Sequence, residues 1–256
     1  MKFGLITKML GALAALIIVS PLIALLSKTP WSNFFNSFSD FDAIRLSIWT
    51  ATLAALISLT LGVPLAWILA KSSHQASNWL RPLILAPIVL PPTVAGLALL
   101  SLMGRNGILG KYIYQQSGWS MPFTSSAVVL AGVFVGLPFV VLICESNFRQ
   151  LPKEIEDAAI IDRADGNELF QKIAIPQSRS AIATGGILAW ARAMGEFGAT
   201  LMFAGSLPGT TQTWTMLIYQ ELDINADTAY ALSVVMLAIA ILIVYLLRRP
   251  LREALR

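Results

Sequence analysis

The sequence predicts an all-α integral membrane fold with about six spanning helices, and three observations carry that prediction. The 256 residues are 56% hydrophobic and only 12% charged, with a mean hydropathy of +0.71, whereas soluble domains carry about 25% charged residues. Five runs contain no Asp, Glu, Lys or Arg and are long enough to cross a hydrocarbon core of about 30 Å at about 1.5 Å per residue. The runs are also apolar all round rather than alternating, which excludes barrel strands and leaves helices to satisfy the backbone in lipid.

Taken in order, the clean runs are Met9 to Leu26, Leu46 to Ala70, Pro82 to Met103, Met121 to Cys144 and Thr228 to Leu247. The first follows Lys2 and Lys8 but shows no small-residue cleavage pattern before Lys28, so it reads as a retained helix and not a leader peptide. A sixth run, Ser180 to about Ala204, is interrupted by Arg192 and Glu196. No connecting loop is large enough for a separate folded unit, so one domain is expected over residues 1–256. The single cysteine, Cys144, excludes an internal disulfide and any cysteine-based zinc spacing.

Basic residues orient the chain. With the N-terminus inside, thirteen Lys and Arg lie in inner segments against four outside (Lys28, Arg45, Arg105 and Lys111), and Arg192 remains within the membrane. That asymmetry predicts both termini inside, so the formal charge of +4 reflects topology rather than nucleic-acid binding. Trp31, Phe34, Phe35 and Phe38 read as an interfacial anchor in the first outer loop.

Two charged features stand out. The longest hydrophilic inner stretch, about 146–177, holds Glu156-Asp157-Ala158-Ala159 and ends at Ile173-Ala174-Ile175-Pro176. Glu154, Glu156 and Asp157 would complement the positive end of a short helix, while Ala158 and Ala159 permit close approach of another protein. The second feature is Arg192 with Glu196, four residues apart on one helix face. A charge at the bilayer centre costs about 2.5 to 3.5 kcal/mol on the milder scale, so both must face protein or water. They form either a mutually neutralised structural pair or part of a polar pathway. Ala191, Ala193, Gly195, Gly198 and Ala199 around them suit close helix packing.

These stretches resemble a known family. The inner stretch is similar to the Glu-Ala-Ala loop of ABC importer permeases, with Asp157 in place of one Glu and Arg163 where the family has glycine. Either the turn that this glycine allows is shifted to Gly166, or the loop docks differently. Ala191-Arg192-Ala193-Met194-Gly195-Glu196-Phe197-Gly198-Ala199-Thr200, followed by Pro208-Gly209-Thr210-Thr211-Gln212-Thr213, closely resembles the signature of molybdate and tungstate permeases. Sulfate permeases have a related stretch with Tyr and Ser where Phe197 and Ala199 stand. Pro91-Pro92-Thr93 through Gly96, and Gly104-Arg105-Asn106-Gly107 through Gly110, are similar to further segments of the family.

The resemblance implies a permease of the bacterial or archaeal cytoplasmic membrane that pairs with a second copy of itself. An ATPase dimer would lie beneath it and an extracytoplasmic molybdate- or tungstate-binding protein above. Coupling to the ATPase would fall to Glu154, Glu156, Asp157, Ala158, Ala159, Arg163, Gly166 and Pro176, and the pathway to Thr93, Arg192, Glu196 and Thr200. Pro87, Pro91 and Pro92 must interrupt their helix, and Thr93 would then offer a hydroxyl to the pathway.

No catalytic residue, metal site or resident cofactor is expected. Gly110-Lys111 does not complete a nucleotide-binding loop, because Arg105 stands at its first glycine position and Tyr112 replaces the Ser or Thr that would hold magnesium. ATP and magnesium are therefore expected on the partner ATPase. A sulfate-type ABC permease is the alternative within the family, an ion-coupled carrier with Glu196 as proton site is the alternative class, and an intramembrane enzyme lacks a Ser/His or Asp/Asp pairing. His74 has no chemical partner in the sequence and reads as incidental. Gly132 and Gly136 read as an intramolecular packing pair.

Overall fold

The computed structural model describes residues 4–37, 41–72, 75–152, 154–155 and 165–254. Two compact units arise, one of residues 1–41 with 217–241 and a larger one of 42–216 with 242–256.

In the smaller unit, α1 spans Leu5–Lys28. The Trp31 indole donates to the Leu26 carbonyl at 2.9 Å and the Thr29 hydroxyl to that of Leu25 at 2.9 Å, closing the end of the helix. A 3-10 turn, Trp31–Ser37, follows, with Trp31 stacked on Phe34 at 5.4 Å and Phe35 exposed. Such a ring cluster has the amphipathic character of an interfacial anchor. Phe38 lies outside the described residues.

The larger unit opens with α2, Asp42–Lys71, and α3, Gln75–Val89. After a break at Leu90 and Pro91 the chain turns through 119° into α4, Pro92–Met103, with Pro92 at a position where its missing N–H costs nothing. The expected span from Pro82 to Met103 is therefore two helices meeting at a sharp bend. The loop 104–110 then folds back on the end of α4, where Ile108 and Leu109 donate to the carbonyls of Ser101 and Leu102, both at 2.9 Å. A Cβ at Gly107 would lie 2.8 Å from those same two oxygens, which explains a glycine in terms of backbone approach.

After α5, Gly110–Ser117, comes α6, Ser125–Arg149, capped at its start by the Thr124 hydroxyl. This is the central helix: α2 and α7, Arg179–Met194, both pack along it. The packing is close because glycines remove side chains where helices meet. A Cβ at Gly132 would lie 2.9 Å from that of Ala54 on α2 and 3.1 Å from that of Ala193 on α7, and one at Gly136 would lie 3.1 Å from the Ala189 carbonyl. The Gly132/Gly136 pair is thus an intramolecular contact, as the sequence suggests.

The chain continues as α8, Gly198–Ala204, α9, Trp214–Ile224, and α10, Ala226–Ala254. Four described helices are long and apolar enough to span a membrane, or five if the bent α3/α4 pair is counted as one span. The remaining expected span, Ser180 to Ala204, is divided into α7 and α8 by a break at Gly195 to Phe197, so neither piece crosses by length alone.

Replacing Gly132 with Val should force α2 and α7 away from α6 and cost about 1–3 kcal/mol, seen as a lower Tm of the purified protein in detergent.

Candidate functional site

The break between α7 and α8 is where the sequence-predicted charges meet. Arg192 lies in the last turn of α7, where a cation complements the carbonyl end of the helix. It forms an ion pair with Glu196 across the break. Glu196 Oε1 also accepts from the Ala199 N–H at 2.8 Å, so the carboxylate caps the start of α8 with favourable charge. Its backbone carbonyl accepts from the Thr215 hydroxyl at 3.0 Å. The Glu196 carboxylate and the Thr215 hydroxyl thereby supply partners for backbone groups that a break in an apolar span would strand.

Exposure separates the two partners. The Glu196 side chain is 2% exposed and that of Arg192 is 31% exposed. The pair is therefore buried on the Glu196 side and partly exposed on the Arg192 side.

A second break adjoins the first. A Cβ at Gly198 would lie 2.6 Å from that of Pro92, and one at Gly96 would lie 2.6 Å from that of Met202 and 2.8 Å from the Ala199 carbonyl, so α4 and α8 are in backbone-level contact. Thr93, next to Pro92, is exposed at this junction. Thr200 is instead 1% exposed and turns into the helix packing.

The loop after α8 explains its own sequence. Gly205 and Gly209 have φ of +69° and +71°, conformations open to glycine. The Leu207 carbonyl accepts from the N–H groups of Thr210, Thr211 and Gln212, and the Thr211 hydroxyl accepts from the Leu207 N–H at 2.9 Å. The Ser125 hydroxyl reaches the Thr210 carbonyl at 2.8 Å, and the Trp214 N–H donates to Ser47 Oγ at 2.8 Å. Sequence reasoning missed Ser47 and Thr215, since their partners lie 167 and 19 residues away. Beside this loop a cleft is lined by Asp42, Arg45, Leu46, Trp49 and Gly209.

At the other end of the core, Glu145 is, among the described residues, the second buried carboxylate. Arg81 Nε lies 2.7 Å and Arg149 Nη2 2.8 Å from its Oε1, and both arginines donate to the Leu69 carbonyl near the end of α2, at 2.7 and 2.9 Å. This cluster ties α2, α3 and α6 together. The Glu145/Arg149 half was legible as a pair four residues apart; Arg81 enters only through the fold.

Segment 166–177 joins the same end. Gly166 begins a short helical turn, Gly166–Glu168, capped reciprocally by Asp165 and Glu168, and continues as a π-helix, Leu169–Ala174, and a turn, Ile175–Gln177, containing Pro176. Gly166 has no positive φ, and a Cβ there would meet nothing within 4 Å, so no turn requiring glycine has moved to it. Glu154 lies in a short stretch described only at 154–155. Glu156, Asp157, Ala158, Ala159 and Arg163 lie outside the described residues, as does His74.

The hydrogen bond from Lys172 at 2.7 Å, aided by the Asp165 N–H, holds Glu168 below its ordinary value of 4.5; in return Glu168 raises Lys172 above 10.5. A lowered carboxylate stabilises above its unfolded value and loses that contribution as pH falls through the folded value; a raised lysine loses its own as pH rises through the folded value. Amide protection over 168–174, read by hydrogen exchange, should therefore hold between these limits and fall beyond either one. Asp165→Ala should reduce the same protection by about 1 kcal/mol at neutral pH, through loss of the cap.

Residues 62–256 match the family described as the binding-protein-dependent transport system inner membrane component. The chain is 38% identical over 239 residues to the molybdenum transport system permease protein ModB of Mycobacterium tuberculosis, covering 92% of this chain and 90% of the relative. It is 34% identical over 210 residues to the putative molybdenum transport system permease protein YvgM of Bacillus subtilis, covering 82% and 92%. Among solved structures, a bacterial alginate ABC transporter bound to its periplasmic protein superposes with a TM-score of 0.76 at 15% identity, covering 97% and 94% of the two chains. The inward-facing MetNI methionine ABC transporter gives 0.61 at 13% identity, covering 84% and 95%. At such identities these structures speak for the fold alone.

Proposed function

The chain belongs to the binding-protein-dependent transport system inner membrane components, as a permease of the molybdate ABC importer type, and from that premise we propose how it moves its cargo. The protein forms half of a pathway through the cytoplasmic membrane for molybdate or tungstate, with a second copy as the other half. Both termini face the cytoplasm, as the excess of basic residues in the inner segments favours. An oxyanion-binding protein delivers cargo from outside, and a separate ATPase dimer supplies the energy.

The observation that carries the pathway is the doubly broken region. In a membrane, backbone outside a helix is tolerated where protein buries it or where it lines a cavity. Here two breaks adjoin, with Glu196 holding one of them and Arg192 partly exposed beside it. Arg192 is the attractive group for a tetrahedral dianion, and Thr93 offers a hydroxyl to its oxygens. A single cation partly neutralised by its own carboxylate attracts the anion without trapping it, which suits passage more than storage. Thr200 then supports α8 from its buried face.

Energy enters through the loop at 146–177, where Glu154, Glu156, Asp157, Ala158, Ala159, Arg163, Gly166 and Pro176 form the ATPase-facing surface. The spacing from the Ala pair to Pro176 and the tie of segment 166–177 to the core support this role. An ion-coupled carrier would have no use for such a loop.

In vesicles containing the permease, the ATPase and the binding protein, molybdate uptake should require all three together with ATP; full uptake with the ATPase omitted would overturn the reading. Glu196→Gln keeps a carbonyl oxygen for the Ala199 N–H but leaves Arg192 unneutralised. Uptake should fall about tenfold, a change of roughly 1.4 kcal/mol, while assembly with the ATPase persists. Wild-type uptake in this variant would remove the charge of Glu196 from the pathway.

A further inference from the structure

Three aromatic rings from three separate elements meet where segment 166–177 joins the core. Phe170, in the π-helix, lies 5.7 Å from Trp67 of α2 and 6.3 Å from Phe148 of α6, and the latter two lie 5.3 Å apart, edge to face. Phe148 is fully buried, and Ala174, at the far end of the π-helix, packs into the same cluster. Ring pairs of this geometry are directional as well as apolar, so they fix an angle that an aliphatic contact leaves loose.

Immediately beside the rings, Glu145 and the Leu69 carbonyl are gripped by Arg81 and Arg149. The ends of α2, α3 and α6 are therefore joined as one block, into which Phe170 is inserted. A displacement of segment 166–177 would move that block together and not slide past it. A π-helix is the less favourable choice for a six-residue stretch and commonly marks a functional position; here its wide turn holds Phe170 and Ala174 against one core.

We propose that the aromatic ring of Phe170 is the positioning residue through which movement of the ATPase-facing loop reaches α2 and α6. This rests on the reading of the chain as an ATP-driven permease, and it assigns the transmission to one side chain. Its ring contacts lie with Trp67 and Phe148 of the core. Its loss should leave nucleotide hydrolysis running while the membrane helices fail to follow.

The test uses the complete complex of permease, ATPase and binding protein in vesicles, measuring molybdate imported per ATP hydrolysed and the amount of ATPase retained on purification. Phe170→Leu keeps the apolar bulk and removes the ring. ATPase retention should be unchanged while import per ATP falls about fivefold, the effect expected of a lost ring contact. Phe170→Tyr should restore the ratio to within about twofold. The proposal is overturned if Phe170→Leu imports with the wild-type ratio, or if Phe170→Tyr is as impaired as Phe170→Leu, which would make the defect one of general packing. Should Phe170→Leu fail to assemble, Trp67→Leu removes the facing ring from α2 and must give the same fall in ratio, and a wild-type ratio there equally overturns it. ATP-independent import by the unaltered complex would instead defeat the parent reading, a result separable from any of these.

Discussion

A helix interrupted inside an apolar span leaves backbone N–H and C=O groups with no water to turn to, and the arrangement around Glu196 answers that constraint. Its carboxylate accepts from the Ala199 N–H, its carbonyl accepts from Thr215, and its charge is met by Arg192. The cost of burying a carboxylate is offset only because each of these partners is present. With them, α8 can fold against α4 and the two breaks can lie together.

Close approach is the second requirement, and it is met by subtraction. Gly96, Gly198, Gly132 and Gly136 each stand where a side chain would strike a neighbouring helix. In lipid, apolar bulk alone does not drive helices together, so packing distance carries much of the association. Small residues thus line the contacts of α4 with α8 and of α6 with α2 and α7. The larger apolar side chains that remain exposed, such as Leu56, Leu61 and Leu97, suit contact with lipid.

The opposite end of the core is built on different chemistry. There, two arginines, one carboxylate and three rings tie helix ends to a short segment containing a π-helix. Charged side chains are affordable at this end because they sit near helix termini, where carbonyl oxygens such as that of Leu69 are available as acceptors. Within the larger unit, the described residues therefore combine a closely packed centre around the Arg192/Glu196 ion pair with an end cross-linked through Arg81, Arg149 and Glu145.

How much of this was legible depends on the range of the interaction. Composition and run length alone determined that the chain is helical and membrane-spanning, because the hydrocarbon thickness sets one length for every crossing. The Arg192/Glu196 pair and the prolines at 87, 91 and 92 were equally visible, since their meaning is local. The prolines announced the break between α3 and α4, whereas the tertiary structure alone decided its angle of 119°, the break of the Ser180 to Ala204 span, and that Pro92 abuts Gly198, Arg81 joins Glu145 and Phe170 meets Trp67 and Phe148. Those contacts join residues far apart in the chain, and an apolar sequence in lipid carries little pattern to announce its partners. The physical reason is that hydropathy reports which solvent a segment prefers, while steric fit between small residues and the pairing of buried polar groups select its neighbours.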